Sequence, residues 1–314
     1  MPDKITKKIV VPVDGSEKSL KSLDYLRLMF GPEHDLEVTL LYILPTMPPI
    51  LEDEREKDPR IAQKLKAVEE KNVKLAESIL SQAKAGLLEK GFKENRVGTV
   101  YRKKESGVAK DICNWSESKR MDAIMISTRG RTRMQEFFMG EVSRSVMEYC
   151  PESPIWMLEP VVRKKGVLVC VDNSGNALKA VDHAGFMLSG TDCPVVLFHT
   201  KRQLSRFVPS EILKDDPELE EIWKNVDAEK VAPFLVKAEE MLLSAGIEKA
   251  RIQTKIVDGT RSAASDIKRA ANRYDCGTVV VGRRGLTGIK ELVTGSVTRK
   301  LLEDISGMAV WIVG

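Results

Sequence analysis

The chain is poor in the residues that usually announce a chemistry. It has three histidines among 314 residues, His34, His183 and His199, and their spacing matches no metal-ligand pattern. It has five cysteines, at 113, 150, 170, 193 and 276, an odd number with no C-x-x-C pair. Such a set does not suggest a disulfide framework and fits a reducing, cytoplasmic setting. Cys113 and Cys170 read as inert packing thiols. Long hydrophobic runs are missing: even Val38–Leu44 is broken by Thr39. A membrane-spanning helix needs about 20 apolar residues, so no membrane partner is expected. The opening Met1–Lys8 segment has no apolar signal-peptide core. No charge sign dominates either, with 50 Lys and Arg against 46 Asp and Glu and a net charge of +4. That balance argues against a dedicated nucleic-acid binder. The Walker pattern G-x-x-x-x-G-K-(S/T) is absent, as are the S-G-G-x-D-S and H-x-G-H strings of nucleotide-splitting enzymes. No nucleophile stands beside a visible base, so no catalytic residue and no metal ligand is assigned.

What the chain does have is a repeat. Hydrophobic residues make up 42%, enough for packed cores, and the length suits roughly two domains. Val10–Asp14 (VVPVD) aligns with Leu168–Asp172 (LVCVD) at an offset of 158. At that offset Leu20, Lys21, Asp24 and Met29 meet Leu178, Lys179, Asp182 and Met187. Further on the offset settles at 155, where Gly130 meets Gly285, Gly140 meets Gly295 and Trp156 meets Trp311. Small loop insertions explain the drift. We read two copies, 1–160 and 161–314.

Each copy alternates strand and helix. In the second, Val167–Val171 is a nearly all-apolar run, as expected of a strand buried on both faces. Turn and N-cap residue types follow at Asn173–Asn176, then a helix. Val195–Phe198 is the next strand. Helical spacing runs through Val231, Phe234, Ala238 and Met241 to Gly246, a C-cap glycine. Strand, helix and strand follow at Arg251–Val257, Ala263–Tyr274 and Thr278–Val281. A last helix, Thr294–Asp304, leads into a last strand, Met308–Val313. In the first copy, Leu51–Arg60 reads as a solvated loop and helix start, and Val73, Ala76, Leu80, Ala83 and Leu87 as one core-facing helical stripe. The fold class is therefore α/β: two tandem open five-stranded parallel sheets in the order βαβαβαβαβ. Ligands of such sheets bind beyond the carboxyl ends of the strands.

The most informative string follows the fourth strand of copy two. Gly282 and Gly285 stand three apart, and Gly295-Ser296 opens a helix ten residues later. Glycines let phosphate approach the backbone N–H groups, a helix start adds free donors, and a serine adds a hydroxyl. The bland alternative is a strand-to-helix turn with no ligand. For Asp14 and Asp172 the bland role is helix capping. The three histidines read as satisfied core residues, and Trp156 and Trp311 as core or interface.

The string resembles the G-x2-G-x9-G-(S/T) signature of ATP-binding universal stress proteins. The V-x-V-D-x-S pattern, with Asp14 and Ser16 and again with Asp172 and Ser174, is similar to the same family. The resemblance spans the chain twice. It implies an adenine-nucleotide alpha hydrolase-like fold in which the last strand of each copy pairs at the inter-domain edge, an intrachain pseudo-dimer, and it leaves a homodimer of whole chains open. It implies ATP or AMP as ligand, with Mg²⁺ or Mn²⁺ neutralising charge. Asp172 and Ser174 would lie at the adenine or sugar side, and the backbone near Thr200 at the adenine edge. Gly282 and Gly285 would cradle ribose and phosphates, and Gly295, Ser296 and Val297 the terminal phosphates. Arg283 and Arg284 lie outside the signature and read as phosphate partners or solvated cations. Copy one departs from the pattern: Ser127 replaces the first glycine and Glu141 the hydroxyl. Two like charges 4 Å apart cost about 4 kcal/mol at an effective dielectric near 20. Copy one is therefore expected to bind ATP poorly or not at all, and Arg129, Arg131 and Arg133 read as surface charges, with another anion as the alternative partner. The expected function is a stress-response sensor or regulator that passes its nucleotide state to an unidentified protein partner. A nucleotide-free adaptor and a slow ATPase are the alternatives.

Overall fold

The computed structural model describes residues 6–31, 34–128, 140–201, 203–260, 262–284, 295–303 and 306–314. Gly130, Gly285, Arg129, Arg131 and Arg133 lie outside the described residues.

Ten strands among the described residues form one sheet. The first copy supplies β1 (Lys7–Pro12), β2 (Leu36–Leu44), β3 (Val97–Lys103), β4 (Ala123–Ser127) and β5 (Ile155–Leu158). The second supplies β6 (Gly166–Cys170), β7 (Val195–Lys201), β8 (Ile252–Asp258), β9 (Cys276–Gly282) and β10 (Ala309–Val313). The strand order is β3-β2-β1-β4-β5-β10-β9-β6-β7-β8. Within each copy the pairs are parallel, and β5 meets β10 antiparallel. Both halves thus have the order 3-2-1-4-5, with the switch of direction between β1 and β4 and between β6 and β9.

The strands are apolar on both faces because helices cover both. Alternate residues of β6 divide between two cores: Val167 and Val169 join Leu26, Leu80, Ala180 and Leu242, whereas Leu168 joins Ile112, Val146, Ile267 and Leu301. The first face carries α1 (Glu17–Lys21), α2 (Asp24–Met29), α4 (Pro59–Glu89), α7 (Gly175–Leu188) and α9 (Pro217–Ser244). The second carries α5 (Val108–Ser118), α6 (Glu141–Tyr149), α10 (Ala263–Arg273) and α11 (Ser296–Leu302). Two short helices, α3 (Pro49–Arg55) and α8 (Ser210–Asp215), precede the two long ones. The run 51–60, read as a solvated loop and helix start, holds the end of α3, where Arg55 pairs with Glu52 and Glu69, and the start of α4 at Pro59.

The two copies meet where an edge strand would otherwise be exposed. Trp311 lies opposite Trp156 in the β5–β10 ladder, and their rings stack at 4.0 Å and 3°. Trp156 Nε1 donates to His183 Nε2 at 3.0 Å. The residue matching His183 in copy one is Tyr25, whose hydroxyl lies 2.8 Å from Thr278 Oγ1. Both rings are buried in a core that runs unbroken across the seam.

One helix differs between the copies. α7 is continuous, whereas its counterpart is broken into α1 and α2 around Ser22 and Leu23. Ser22 Oγ donates to Ser19 O at 2.7 Å, an interaction that competes with the helical ladder. Ala180 stands at the matching place in α7 and has no such group.

The cysteine expectation is overturned. Cys113 of α5 and Cys150, the residue after α6, form a disulfide with Cα atoms 5.6 Å apart. The two are 37 residues apart in sequence but on adjacent helices. Spacing rules detect local pairs, so this pair escaped them. Cys113 is not a free packing thiol.

Candidate functional site

The carboxyl ends of β6 and β9 are neighbours, and the segments leaving them converge. The loop after β6 is built by its polar side chains. Asp172 Oδ1 accepts from Ser174 N at 3.0 Å and from the Ser174 hydroxyl. Ser174 Oγ in turn accepts from Ala177 N at 3.2 Å, which makes Ser174 the N-cap of α7. Capping was the bland role open to Asp172, and the serine performs it instead. An N-cap oxygen must reach the amide three residues on, and Asp172 lies too early, so it braces the turn instead. Copy one repeats the arrangement: Ser16 caps α1, and Asp14 Oδ1 accepts from Ser16 N at 3.0 Å.

Gly282 ends β9 against the first turn of α7. A Cβ there would stand 2.9 Å from the carbonyl carbon of Asn176 and 3.0 Å from its Cβ. Asn176 Nδ2 donates to Arg284 O at 3.1 Å, so one side chain ties the two loops together. The start of α11 folds back onto the same place. Gly295 N donates to Arg283 O at 2.8 Å, and Thr298 Oγ1 donates to Gly282 O at 3.2 Å. Gly295 is the N-cap of α11 with no side chain capping it, and Ser296 next to it is exposed. Asp172, Ser174, Gly282, Gly295, Ser296 and Val297 therefore gather at the switch point between β6 and β9, and Gly285 lies outside the described residues.

Thr200 stands slightly apart. Its hydroxyl donates to Asp266 Oδ2 of α10 at 3.2 Å, and Asp266 also accepts from Thr260 N at 2.8 Å. The side chain of Thr200 is thus committed to its own corner. Next to it, His199 Nδ1 lies 2.8 Å from Val171 O and Nε2 lies 3.3 Å from Asp227 Oδ2. His199 is a buried, satisfied histidine that joins the ends of β6 and β7.

Arg283 is neither solvated nor aimed at the site. Its side chain is 3% exposed and crosses the seam into copy one. Nη1 donates to Met147 O at 2.6 Å, and Nη2 donates to Cys150 O at 2.8 Å and Ser153 O at 3.4 Å. The end of α6 offers carbonyls without helical partners, and a cation is favoured there. Burial pulls the guanidinium pKa down to about 10, so it stays charged at neutral pH. One hint lies in the repeat: the matching residue in copy one is Thr128.

In copy one the loop elements differ. Ser127 ends β4, and its Oγ lies 3.5 Å from Lys18 O. Gly140 is a buried N-cap of α6, and Glu141 is exposed in the first turn. A carboxylate in that position interacts favourably with the helix end.

A separate cleft of about 690 Å³ lies along the seam, lined by Lys7, His34, Asp182, Phe186, Lys237 and Met241. It sits at the amino end of β1, on the opposite edge from the glycine string. Lys7 pairs there with Asp35 at 3.2 Å and donates to Ser189 O. Among the described residues, no three His, Cys, Asp or Glu cluster as a metal site would require.

Taken together, the molecule is a tandem pair of open five-stranded α/β domains, with a glycine and serine string at one switch point. The Universal stress protein family profile matches residues 6–157 and 164–313, so the chain belongs to that family and contains two tandem domains. A universal stress protein of Methanocaldococcus jannaschii is 28% identical over 152 residues, 48% of this chain and 81% of that protein. The crystal structure of a universal stress protein from Archaeoglobus fulgidus matches 98% of both chains at 20% identity with a TM-score of 0.65. A putative universal stress protein from Pseudomonas aeruginosa matches 99% of this chain and 94% of its own at 17% identity, with a TM-score of 0.55. At those identities the structural matches speak for the fold. No helix among the described residues is long and apolar enough to cross a membrane.

Proposed function

We propose that the chain binds one adenine nucleotide, ATP or AMP, in domain 2, and that bound nucleotide changes a surface read by a protein partner in a stress response. One observation carries the reading. The uncapped start of α11 is held by the Gly295–Arg283 bond beside the β6–α7 turn, at the carboxyl end of the sheet. That place offers helix-start amides and the Ser296 hydroxyl to phosphate, and the Asp172–Ser174 turn to the nucleoside. The donor set fits a phosphate chain. Mg²⁺ or Mn²⁺ would ride on the phosphates and neutralise their charge, because the described residues supply no metal cluster of their own. Domain 1 offers Glu141 where domain 2 offers Ser296, and its carboxylate opposes a phosphate. We assign no catalytic step.

The adaptor reading has one observation in its favour. Gly282 is required by its packing against Asn176, whatever binds nearby. Equilibrium dialysis of the full chain with Mg-ATP separates the two. The nucleotide reading expects uptake by the native chain and by Gly140→Asp, and loss in Gly295→Asp. No uptake by the native chain would leave the adaptor. Equal partner affinity with and without nucleotide would sink the signalling half of the proposal.

A further inference from the structure

We propose that domain 1, which departs from the nucleotide-binding pattern, acts as the holder of the domain 2 site, with Arg283 as the positioning residue between them. This rests on the nucleotide reading above and adds the element that sets the geometry of that site.

The link is a short chain of bonds. At one end, the Arg283 guanidinium is fixed by the carbonyls of Met147, Cys150 and Ser153 in domain 1. At the other, its backbone is fixed in domain 2: N donates to Val313 O at 2.6 Å, and O accepts from Gly295 N at 2.8 Å. The same residue therefore grips the end of α6 and the start of α11. A planar, five-donor fork suits three carbonyls at once, which a lysine cannot match. The gripped end of α6 is itself braced, because Cys150 is disulfide-bonded to Cys113 of α5. Gly314 adds a close approach on the same side, with room for no Cβ beside Pro151 O at 2.3 Å.

At the carboxyl ends of the strands the grip has no counterpart from Thr128. Thr128, the matching residue in domain 1, also donates its backbone N to a last strand, to Leu158 O at 2.7 Å. Its hydroxyl returns to the same carbonyl at 3.1 Å and stays within its own domain. Arg283 thus ties the site of domain 2 to domain 1 through a buried cation, whereas the buried cation that domain 1 sends into domain 2, Lys7, reaches Ser189 O at the amino end of the sheet, away from the glycine string.

Coupling of this kind must be reciprocal. Nucleotide bound at the start of α11 tightens the end of α6, across the seam. The test is amide hydrogen exchange of the full chain, with and without Mg-ATP, beside a Mg-ATP titration. The variants are Arg283→Met, which keeps bulk but no donor, and Arg283→Lys. In the free protein, Arg283→Met is expected to speed exchange at residues 295–298 and 147–153 at least tenfold, with β6 and β7 unchanged. Mg-ATP affinity is expected to fall at least tenfold, with Arg283→Lys between the two. In the native chain Mg-ATP slows exchange at 147–153, and Arg283→Met removes that slowing, which a merely structural role would not do. Native exchange at 295–298 and native affinity in Arg283→Met would overturn the proposal. If the native chain takes up no Mg-ATP, the nucleotide reading fails, and the exchange rates of the free variants still decide the holder role. If Arg283→Met exchanges fast everywhere, Arg283→Lys decides by the same two regions.

Discussion

The two domains share a fold and a strand order but differ at their switch points. Domain 2 has a glycine at the end of β9, an uncapped helix start and a serine beside it. Domain 1 has Ser127, an equally uncapped helix start whose Gly140 is buried, and the Glu141 carboxylate at the same three places. Domain 1 also carries the only disulfide among the described residues, and it receives the Arg283 side chain from its partner half. A duplicated site can lose its ligand in one copy while that copy keeps its packing. The surviving packing can then serve the other copy.

The largest effects should come from the seam both domains share. Trp156→Ala or Trp311→Ala removes half of the stacked pair from a fully buried position. Each should cost about 3–5 kcal/mol in denaturant unfolding. A cost near zero would mean that the halves are stable apart. Next is the disulfide, which domain 2 lacks, since Lys268 stands where Cys113 does. Opening a loop of 37 residues should cost about 3–4 kcal/mol, read by unfolding with and without reductant. Equal stability in both conditions would make the pair incidental.

The third comparison sets His183 against Tyr25, its counterpart across the seam. Burial pulls the His183 pKa from 6.5 down to about 3, so the folded state holds it neutral. The unfolded chain takes up a proton below pH 6.5 and the folded chain does not. Its contribution is therefore complete above pH 6.5 and is lost as pH falls from 6.5 towards 3. The slope is up to about 1.4 kcal/mol per pH unit. His183→Gln, which still offers an acceptor to Trp156, should flatten that slope. An unchanged slope would place the titration elsewhere, with His34, lowered to about 4 by burial, the next candidate. The smallest effect concerns domain 1. Changing Ser127→Gly and Glu141→Ser together should restore weak Mg-ATP binding there, a gain of about tenfold or 1.4 kcal/mol. No gain would show that the rest of the domain 1 site has drifted too.

The fold was legible because buried parallel strands write themselves as short apolar runs, and two copies repeat them. Val10–Val13 and Leu168–Val171 announce the same strand twice. The glycine string was legible because it is local. Interactions across long sequence distances were not. Nothing near Cys113 indicates Cys150, and nothing near Arg283 indicates the carbonyls of Met147 and Cys150, more than 130 residues away. The break between α1 and α2 falls at Ser22, whose hydroxyl bonds Ser19 O, within an otherwise helical pattern. Ser174 reads from the sequence as a site residue, and in the structure it also caps α7 while Asp172 braces it.

The central claim is asymmetry: one nucleotide site per chain, in domain 2. Calorimetric titration of the native full chain with Mg-ATP tests it most directly. A stoichiometry of one per chain is expected. Two sites per chain, or none, would contradict it.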